Sequence, residues 1–433
     1  MTSAECEVDV QSIAAGGDGV ARLDGRVIFI PRTAPGDRAN ILATSVRGGR
    51  FARGVLLDLL RPSPERIDPA CVHYVHDHCG GCQLQHLQYA SQLAAKGAIV
   101  RDALVRIAHR PVDAVSVDPS PCQWRYRRKL TLALRRGGAS GRAWIAGLRR
   151  IDAPDSVFPL ADCQITEEGV IEVWRAIMRA SALLPDVSSL RGSVRVTANG
   201  YAFHLEGGTR WDNSQELPPV VPGLTELWWT PEHGTRRRLG LPDGGSEAGR
   251  TGARAGVRTG VASGASFTQV NARVGEALHA HVVERAMSYA PRTAIDAYAG
   301  TGGTAIALAE RGVSVVAIEV DRAASAECAR VLPRGSRAVA GRAEDALPRA
   351  LPADVVILNP PRTGASAPVI AAIRDATPAP RALVYVSCDP ATLARDVGRL
   401  PGWRIAGLRS FDMFPQTAHV ETVCELVREE AER

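Results

Sequence analysis

The spacing of apolar residues along the chain predicts three kinds of structure. Between residues 7 and 60, short β-prone pieces alternate with turn signals such as Asp24-Gly25, a pattern typical of a small β-barrel. Between Tyr89 and Ile107, helical spacing predicts an amphipathic helix with one apolar side, formed by Leu93, Val100, Leu104 and Ile107. From Ala294 onwards, apolar strands alternate with helical stretches, which predicts an open α/β sheet.

A thiol stands at the end of one of these apolar strands. The run from Ala382 to Val386 ends at Ser387-Cys388, and Asp389-Pro390 then turns the chain into a predicted helix. Ligands of open α/β sheets bind outside the carboxyl ends of the strands. Cys388 is therefore a candidate nucleophile, and the alternative is a small buried residue, because free cysteines are often buried.

A glycine-rich turn indicates a nucleotide-containing cofactor. Gly300 and Gly302 lie between an apolar strand and a predicted helix, where glycines let the backbone approach a ligand closely. The next strand ends at Glu319, whose carboxylate suits a ribose diol. These residues alone leave S-adenosylmethionine and NAD open, because the spacing also fits the dinucleotide-binding motif.

Polar groups also follow the strand over residues 354–358. Asn359-Pro360-Pro361-Arg362 comes directly after it, and the prolines lack amide donors and stiffen the loop. Asn359 and Arg362 are therefore expected to be held in place for a flat polar substrate. Nothing in this part of the chain resembles the acid–base pair of a hydride-transfer enzyme, which favours a methyl donor over NAD.

Candidate bases precede the last predicted strand. Glu421 lies just before the apolar run Val423 to Val427 and is a candidate general base. Asp412 and His419, in the same polar segment, are its rivals. For these two residues, a structural role in the loop is the other interpretation.

Closely spaced cysteines indicate a metal site. Three thiols fall within twelve positions, and two glycines between the last two thiols allow a tight loop around an ion or cluster. The favoured ligands are Cys71, Cys79, Cys82 and Cys163. Cys122 is nearer in sequence than Cys163, and zinc stays open because of three neighbouring histidines, His73, His76 and His78.

A basic stretch follows the cysteine loop. Between Gln123 and Arg150 there are nine basic residues and no acidic one, with aromatic rings among them. The alternation over residues 129–135 is strand-like, so several of these charges are expected on one solvent face. Basic strands with exposed rings suit phosphate contacts and base stacking, which favours binding of single-stranded RNA over a merely solvated face.

Composition sets the class of protein. The 433 residues are 45% hydrophobic and carry a net charge of +6, which permits a polyanionic partner without requiring one. No apolar run approaches the ~20 residues of a membrane span. The first residues are acidic and lack the apolar core of a signal peptide, and an odd number of cysteines favours reduced thiols. We therefore expect a cytoplasmic protein that does not associate with membranes.

Taken in order, these segments resemble the class I RNA 5-methyluridine (uracil-C5) methyltransferases that carry an N-terminal TRAM barrel. The similarity covers nearly the whole chain. Its motifs are Cys79-Gly-Gly-Cys82 with Gln85-His86, Phe267-x-Gln269-Val270-Asn271, Asp296-x-Tyr298-x-Gly300-x-Gly302, Asn359-Pro360-Pro361-Arg362-x-Gly364, Ser387-Cys388-Asp389-Pro390-x-Thr392-Leu393-x-Arg395-Asp396 and Asp412-x-Phe414-Pro415-x-Thr417-x-His419-Val420-Glu421. The last two motifs together are highly specific.

The resemblance implies a covalent mechanism on ribosomal or transfer RNA. In such enzymes the cysteine matching Cys388 adds to uracil C6, and the glutamate matching Glu421 later removes the C5 proton. The S-adenosylmethionine site would be lined by Gln269, Tyr298, Gly300, Gly302, Glu319 and Asn359. The four cysteines Cys71, Cys79, Cys82 and Cys163 would hold a [4Fe–4S] cluster that supports RNA binding.

The expected fold class is α/β, with three domains in a chain that acts as a monomer. Residues 1–62 would form the OB-like TRAM barrel, residues 63–265 a central α+β domain with the Fe–S cluster, and residues 266–433 a Rossmann-like methyltransferase sheet. Residues 240–264, rich in Gly, Ala and Arg, would connect the last two domains.

The chain departs from the family pattern, and rival functions stay open. The family usually has Asp at Asn359, Asn at Asp389 and a second Phe at Thr268. Asn359 keeps a carbonyl acceptor but lacks the charge of Asp. The rivals are an RNA cytosine-C5 methyltransferase, which also needs a thiol, an amino-group methyltransferase, which would leave Cys388 and Glu421 unused, and a non-catalytic RNA-binding Fe–S protein.

Overall fold

The computed structural model describes residues 3–45, 51–137, 143–240 and 269–429. The chain divides into two compact units: the first joins Met1–Asp68, Gln83–Pro121 and Arg273–Arg433, and the second joins Pro69–Cys82 and Cys122–Ala272. The domain boundaries after residues 62 and 265 stay predictions, and the second boundary and the connection 240–264, apart from Gly240, lie outside the described residues. No helix within the described ranges is both long and apolar enough to cross a membrane.

The first strands of the first unit form a closed barrel, as predicted. Its strands, in the spatial order β1-β2-β3-β5-β4, are β1 (Ser3–Ile13), β2 (Gly19–Leu23), β3 (Arg26–Ile30), β4 (Arg38–Ser45) and β5 (Phe51–Arg61). Alternation of side chains places apolar residues inside, among them Val8, Val10, Ile28, Ile30 and Ile41. The predicted turn at Asp24-Gly25 joins β2 to β3, and both residues have positive φ, as a tight hairpin requires.

The segment after the barrel contributes α1 (Val72–Val75) to the second unit, and α2 (Tyr89–Arg106) and β6 (Val117–Asp118) to the first. The amphipathic helix was predicted at the right place, but one residue of its apolar side was wrong. Ile107 lies just past the end of α2 and is 45% exposed. The buried side includes Val100 and Leu104, as expected, together with the polar residues Gln92 and Lys96.

The second unit is built on a seven-stranded sheet with the order β13-β12-β11-β10-β7-β8-β9. Its elements are β7 (Lys129–Gly137), β8 (Ala143–Arg149), β9 (Val157–Pro159), α3 (Glu168–Arg179), β10 (Ser189–Thr197), β11 (Gly200–Glu206), α4 (Leu217–Val220), β12 (Leu224–Thr230) and β13 (Arg237–Leu239). The alternation predicted over residues 129–135 is present: Leu130, Leu132 and Leu134 are buried. One face of the sheet packs on α3, where Trp174 donates a hydrogen bond to the Leu130 carbonyl, and the other face stays polar.

The C-terminal part of the first unit is the predicted α/β sheet. After α5 (Ala272–Met287), whose first residue falls in the second unit, its elements are β14 (Thr293–Ala297), α6 (Gly303–Ala309), β15 (Ser314–Glu319), α7 (Arg322–Val331), β16 (Arg337–Ala340), α8 (Ala343–Ala350), β17 (Val355–Leu358), α9 (Ala367–Asp375), β18 (Ala382–Ser387), α10 (Pro390–Gly398), β19 (Trp403–Phe411) and β20 (Glu421–Arg428). The spatial order is β16-β15-β14-β17-β18-β20-β19-β6, parallel from β16 to β18 and antiparallel at β20. The chain leaves β14 towards β15 on one side and returns at β17 on the other, and such a switch point opens a ligand crevice at the carboxyl ends of the strands.

Candidate active site

The two residues assigned to chemistry lie at neighbouring strand ends. Strands β18 and β20 are antiparallel, and their last paired residues at this edge are Ser387 and Thr422. Cys388 follows Ser387 and Glu421 precedes Thr422, so both extend the same register by one position. Residues opposite each other in antiparallel strands have Cα atoms about 4.5–5.5 Å apart. The charge of Glu421 acts on the Cys388 thiol, so the two groups are electrostatic neighbours at this edge.

Burial and neighbouring charges set the protonation of both groups. Cys388 is half-buried, and burial, followed by the charge of Glu421, raises the pKa of its thiol. Glu421 is only 6% exposed, and burial raises the pKa of its carboxyl to about 7. A carboxyl group with a pKa near neutrality can both accept and release a proton at physiological pH, as a general base must.

Arg362 is the positive charge of this site. It acts on both groups and lowers the pKa of Cys388 and of Glu421, against the effect of burial. Its loop is fixed to α10, because the Ala365 amide donates to Asp396 (2.9 Å) and Arg395 donates to the Thr363 carbonyl (2.9 Å). The sequence predicts that Arg362 orients a substrate but gives no sign of its role beside the thiol and the carboxyl, since β17, β18 and β20 come together only in the folded sheet.

Asp389, one of the departures from the family pattern, has a clear structural role. It caps the N-terminus of α10, and its carboxylate accepts a hydrogen bond from the Thr392 amide at 2.9 Å. Asp and Asn are about equally good at this position of a helix. The substitution therefore preserves the turn that presents Cys388.

The glycine turn after β14 fits a nucleotide-containing cofactor. Tyr298, Gly300 and Gly302 all have positive φ, and the Gly300 amide donates to the Glu319 carboxylate at 2.8 Å. A Cβ atom at Gly302 would lie 2.2 Å from the Cys328 sulfur, so packing against α7 requires glycine there. A Cβ atom at Gly300 would meet nothing within 4 Å, so the space beside this backbone is open.

The other predicted cofactor residues fall into two groups. Leu358 pairs with Ala297, so Asn359 and Tyr298 follow paired residues at the same edge, close to Gly300. Asn359 is exposed and Tyr298 is half-buried. Gln269 belongs to the second compact unit, and its assignment to the cofactor site stays a prediction.

The structure favours Glu421 over its rivals as the base. Asp412 is fully buried and accepts hydrogen bonds from Lys96 and from the Tyr89 hydroxyl, so its carboxylate is committed to structure. His419 is exposed and its ring lies against Phe414, with centroids 5.9 Å apart. Only Glu421 of the three is an electrostatic neighbour of Cys388.

The predicted metal ligands come together only in part. Cys71 and Cys82 lie in one apolar cluster of the second unit, with Cys163 and Cys122 packed at its edge, and Cys79 is also buried. Within the described residues, however, no group of three or more His, Cys, Asp or Glu side chains is placed to hold a metal ion. The structure therefore does not show the predicted Fe–S site, since no three of these described side chains are placed to share one metal ion.

The histidines near this loop do not form a zinc site either. His73 is buried and both ring nitrogens are engaged, Nδ1 with Asp77 at 2.7 Å and Nε2 with the Ala161 amide at 3.2 Å. His78 contacts Asp152 at 3.1 Å and is exposed, as is His76. These contacts leave His73 no nitrogen for a metal.

Basic side chains collect on the polar face of the seven-stranded sheet. A groove of about 1110 Å³ on this unit is lined by Arg135, Arg149, Arg150 and Arg191. Beside it, Lys129 and Arg195 are directly opposite each other on β7 and β10. Burial lowers the pKa of Lys129, and Arg195 and Arg191 lower it further. Like charges placed opposite each other repel in the free protein. Binding of a polyanion on this face would offset that repulsion.

Comparisons with known proteins give the family of this chain. Residues 1–57 match the TRAM domain, and residues 342–429 match the tRNA (Uracil-5-)-methyltransferase family. The chain is 33% identical to the RNA methyltransferase tlr0942 of Thermosynechococcus vestitus, over 98% of each chain. It is 29% identical to the 23S rRNA (uracil(1939)-C(5))-methyltransferase RlmD of Thiobacillus denitrificans, over 96% of this chain and 98% of the relative. The chain belongs to the S-adenosylmethionine-dependent RNA (uracil-5-)-methyltransferases that carry an N-terminal TRAM domain.

A solved structure shows the same fold. The tRNA (uracil-54, C5)-methyltransferase of Pyrococcus abyssi, solved with S-adenosyl-L-homocysteine, superposes with a TM-score of 0.70 at 23% identity. The match covers 98% of this chain and all of the other. The chain therefore has a fold that is already known from a solved structure.

Proposed function

We propose that this protein transfers the methyl group of S-adenosylmethionine to C5 of a uridine in RNA through a covalent adduct between Cys388 and uracil C6. The observation that carries the proposal is the placement of Cys388 and Glu421 one residue beyond the Ser387–Thr422 pair, at the sheet edge that also bears the glycine turn. An amino-group methyltransferase would have no use for this thiol and this base.

The reaction divides one difficult step into easier ones. Cys388, after loss of its proton to solvent, donates a thiolate electron pair to C6, the C5=C6 bond opens, and C5 becomes nucleophilic. S-adenosylmethionine, when bound, supplies an electrophilic methyl group that C5 takes, and S-adenosylhomocysteine leaves. Glu421 then removes the C5 proton, the double bond re-forms, and Cys388 is expelled as a thiolate.

The charges around the site suit these steps. Arg362 favours the thiolate of Cys388, which is the nucleophilic form, although burial opposes it. Once the thiolate has become a neutral thioether, Glu421 no longer faces a second negative charge. The same residues thus support addition first and proton removal afterwards.

We propose that the polar sheet face holds the RNA backbone. Arg135 and Arg149 line the groove, and each donates one hydrogen bond to a main-chain carbonyl, that of Leu134 and that of Pro154 respectively. Their guanidinium groups therefore keep donors for phosphate oxygens.

The RNA is ribosomal or transfer RNA, the two classes named for the relatives. The protein acts as a cytoplasmic monomer.

The test is to identify the methylated nucleoside. Purified protein would be incubated with methyl-labelled S-adenosylmethionine and transcripts of 23S rRNA or of tRNA, and the RNA would then be digested to nucleosides. The proposal predicts labelled 5-methyluridine from one class of transcript. Labelled 5-methylcytidine or an N-methylated base would support a rival enzyme, and no label from either class would contradict the proposal.

We also propose that Cys71, Cys79, Cys82 and Cys163 close around a [4Fe–4S] cluster when iron and sulfide are supplied. The close spacing in sequence and the shared apolar cluster of Cys71, Cys82 and Cys163 support this step. Protein purified anaerobically should contain iron and acid-labile sulfide in equal amounts. Cys163→Ser should lose both, whereas the matched Cys122→Ser should keep them; zinc without sulfide would overturn the proposal.

A further inference from the structure

A buried ion pair joins α2 to the polypeptide segment that precedes the catalytic base. Lys96 and Asp412 both have fully buried side chains, and the Lys96 ammonium donates to Asp412 Oδ1 and to the Phe414 carbonyl (3.0 Å). Lys96 is one of only two lysines in the chain. Burying a charged pair is costly, and well-packed apolar residues often stabilise a protein as much, so the pair needs a further explanation.

Tyr89 binds the second carboxylate oxygen of Asp412. Its hydroxyl donates to the second carboxylate oxygen, Asp412 Oδ2, at 2.8 Å, and accepts a hydrogen bond from the Ser120 amide at 2.8 Å. Asp412 is thus held at both oxygens by two side chains of the same helix, seven positions apart. These two hydrogen bonds hold residue 412 in place relative to α2.

Two glutamines hold the rest of the segment. Gln92 donates to the Gln416 side chain and accepts from the Gln416 amide, each at 3.0 Å. The amides of Gln83 and Leu84 donate to the Gln416 carbonyl at 3.1 and 2.9 Å. The residues between 412 and 418 are therefore anchored at their start and their middle by residues 83–96, all within the first compact unit.

The anchored segment leads directly to Glu421. Strand β19 ends at Phe411 and β20 begins at Glu421, and these two residues pair with each other. Asp412 is next to Phe411, so a shift at Asp412 moves the cross-strand neighbour of Glu421. Residues 412–420 form neither helix nor strand, and side-chain contacts therefore have to define their path.

We propose that Lys96 and Asp412, with Tyr89, are positioning residues that hold Glu421 for removal of the C5 proton. The inference rests on the proposed function. Proton removal by a general base demands a defined heavy-atom distance, and displacement of reacting groups by about 1 Å can cost on the order of 100-fold in rate. Addition of Cys388 to C6 and methyl transfer do not use Glu421 as a base, so they tolerate its displacement better.

Displacement of Glu421 would have an effect that a general structural defect would not have. With Glu421 displaced, C5 takes the methyl group but keeps its proton, the C5=C6 bond cannot re-form, and the sulfur–C6 bond persists. A covalent protein–RNA adduct then accumulates on ordinary uridine. A merely structural defect would instead lower adduct formation and turnover together.

The experiment compares variants on RNA with ordinary uridine, by 5-methyluridine formation and by adducts on denaturing gels. Lys96→Met should lower turnover at least tenfold and place most of the protein in the adduct, as should Glu421→Gln. Tyr89→Phe, which keeps the ion pair, should show the same change to a smaller degree. Arg285→Met is the matched control, because the Arg285 guanidinium forms its ion pair and hydrogen bonds with Glu425, on the same strand β20, and not with Asp412.

The outcomes separate the inference from the proposed function. If Glu421→Gln accumulates the adduct while Lys96→Met and Tyr89→Phe do not, the positioning role is wrong. Parallel loss of adduct and turnover in Lys96→Met, with Tyr89→Phe like the wild type, would also overturn it. If Glu421→Gln accumulates no adduct and the wild type forms no 5-methyluridine, the proposed function itself fails.

Discussion

Cys388 and Glu421 each lie one residue beyond the Ser387–Thr422 pair, on neighbouring antiparallel strands. The hydrogen-bonded ladder that ends one residue before Cys388 therefore brings the two residues to the same edge of the sheet. A thiol that adds to C6 and a base that takes a proton from C5 act on adjacent ring atoms, so a fixed short separation matches the chemistry.

The rate of proton removal should depend on the ionisation of Glu421. Because burial raises the pKa of this carboxyl to about 7, its basic form is lost as the pH falls below neutrality. Release of 5-methylated RNA from a preformed adduct should slow about tenfold per pH unit below 7 and level off above it. Single-turnover decay of the adduct between pH 5.5 and 8.5 measures this, and a flat profile would argue against Glu421 as the base.

Stability should have the opposite pH dependence. The folded protein holds the Glu421 proton more tightly than the unfolded chain does, so this contribution is complete below the ordinary pKa of 4.5 and is lost as the pH rises through about 7. Glu421→Gln removes the effect and should gain up to about 3 kcal/mol relative to wild type between pH 4.5 and 8. Urea unfolding midpoints of the two proteins at both pH values test the sign. A larger stability gain of Glu421→Gln at pH 4.5 than at pH 8 would contradict it.

Restoring the family residue at position 359 should strengthen cofactor binding. Asn359 is exposed at the edge of the sheet near the glycine turn, and Asp there would add a negative charge to the proposed site of a cofactor that carries a positively charged sulfonium. An attraction of about 1 kcal/mol in a water-like environment corresponds to roughly fivefold. Asn359→Asp should lower the KM for S-adenosylmethionine by that factor without changing RNA affinity, while Asn359→Ala should raise it. An unchanged KM in both variants would place Asn359 outside the cofactor site.

Charge reversal in the groove should weaken RNA binding at low salt. Arg135→Glu and Arg149→Glu each remove a phosphate contact, so the slope of log affinity against log salt should fall by about 0.7 per lost contact with single-stranded RNA. Arg179→Glu is a matched control, since Arg179 is exposed at the end of α3, which packs on the other face of the sheet. Equal effects of all three variants would indicate a nonspecific charge effect.

Much of this site could be predicted from local patterns. The buried strand ending at Cys388, the glycine turn and the acid at Glu319 each occupy a short run of sequence, and the topology of α/β sheets brings strand ends together. The N-terminal barrel was equally predictable because alternation and turn residues are local. The departure from the family pattern at Asp389 has a structural explanation, since Asp389 caps α10 as Asn would.

Other features depend on contacts between distant residues. Lys96 and Asp412 are 316 positions apart, and helical spacing alone gives no reason for a buried ammonium in α2. The electrostatic influence of Arg362 on Cys388 and Glu421 depends on the order of three strands in space. The cysteine spacing predicted a metal site, but the described thiols pack without a common centre, because spacing does not determine where side chains converge.

Trapping with 5-fluorouridine RNA is the most direct test of the covalent role of Cys388. Fluorine at C5 cannot be removed as a proton, so the methylated adduct should persist on a denaturing gel when S-adenosylmethionine is present. The wild type should form this adduct, whereas Cys388→Ala should form none and should lose turnover, with RNA affinity nearly unchanged. Full activity of Cys388→Ala, or an adduct in that variant, would contradict the account.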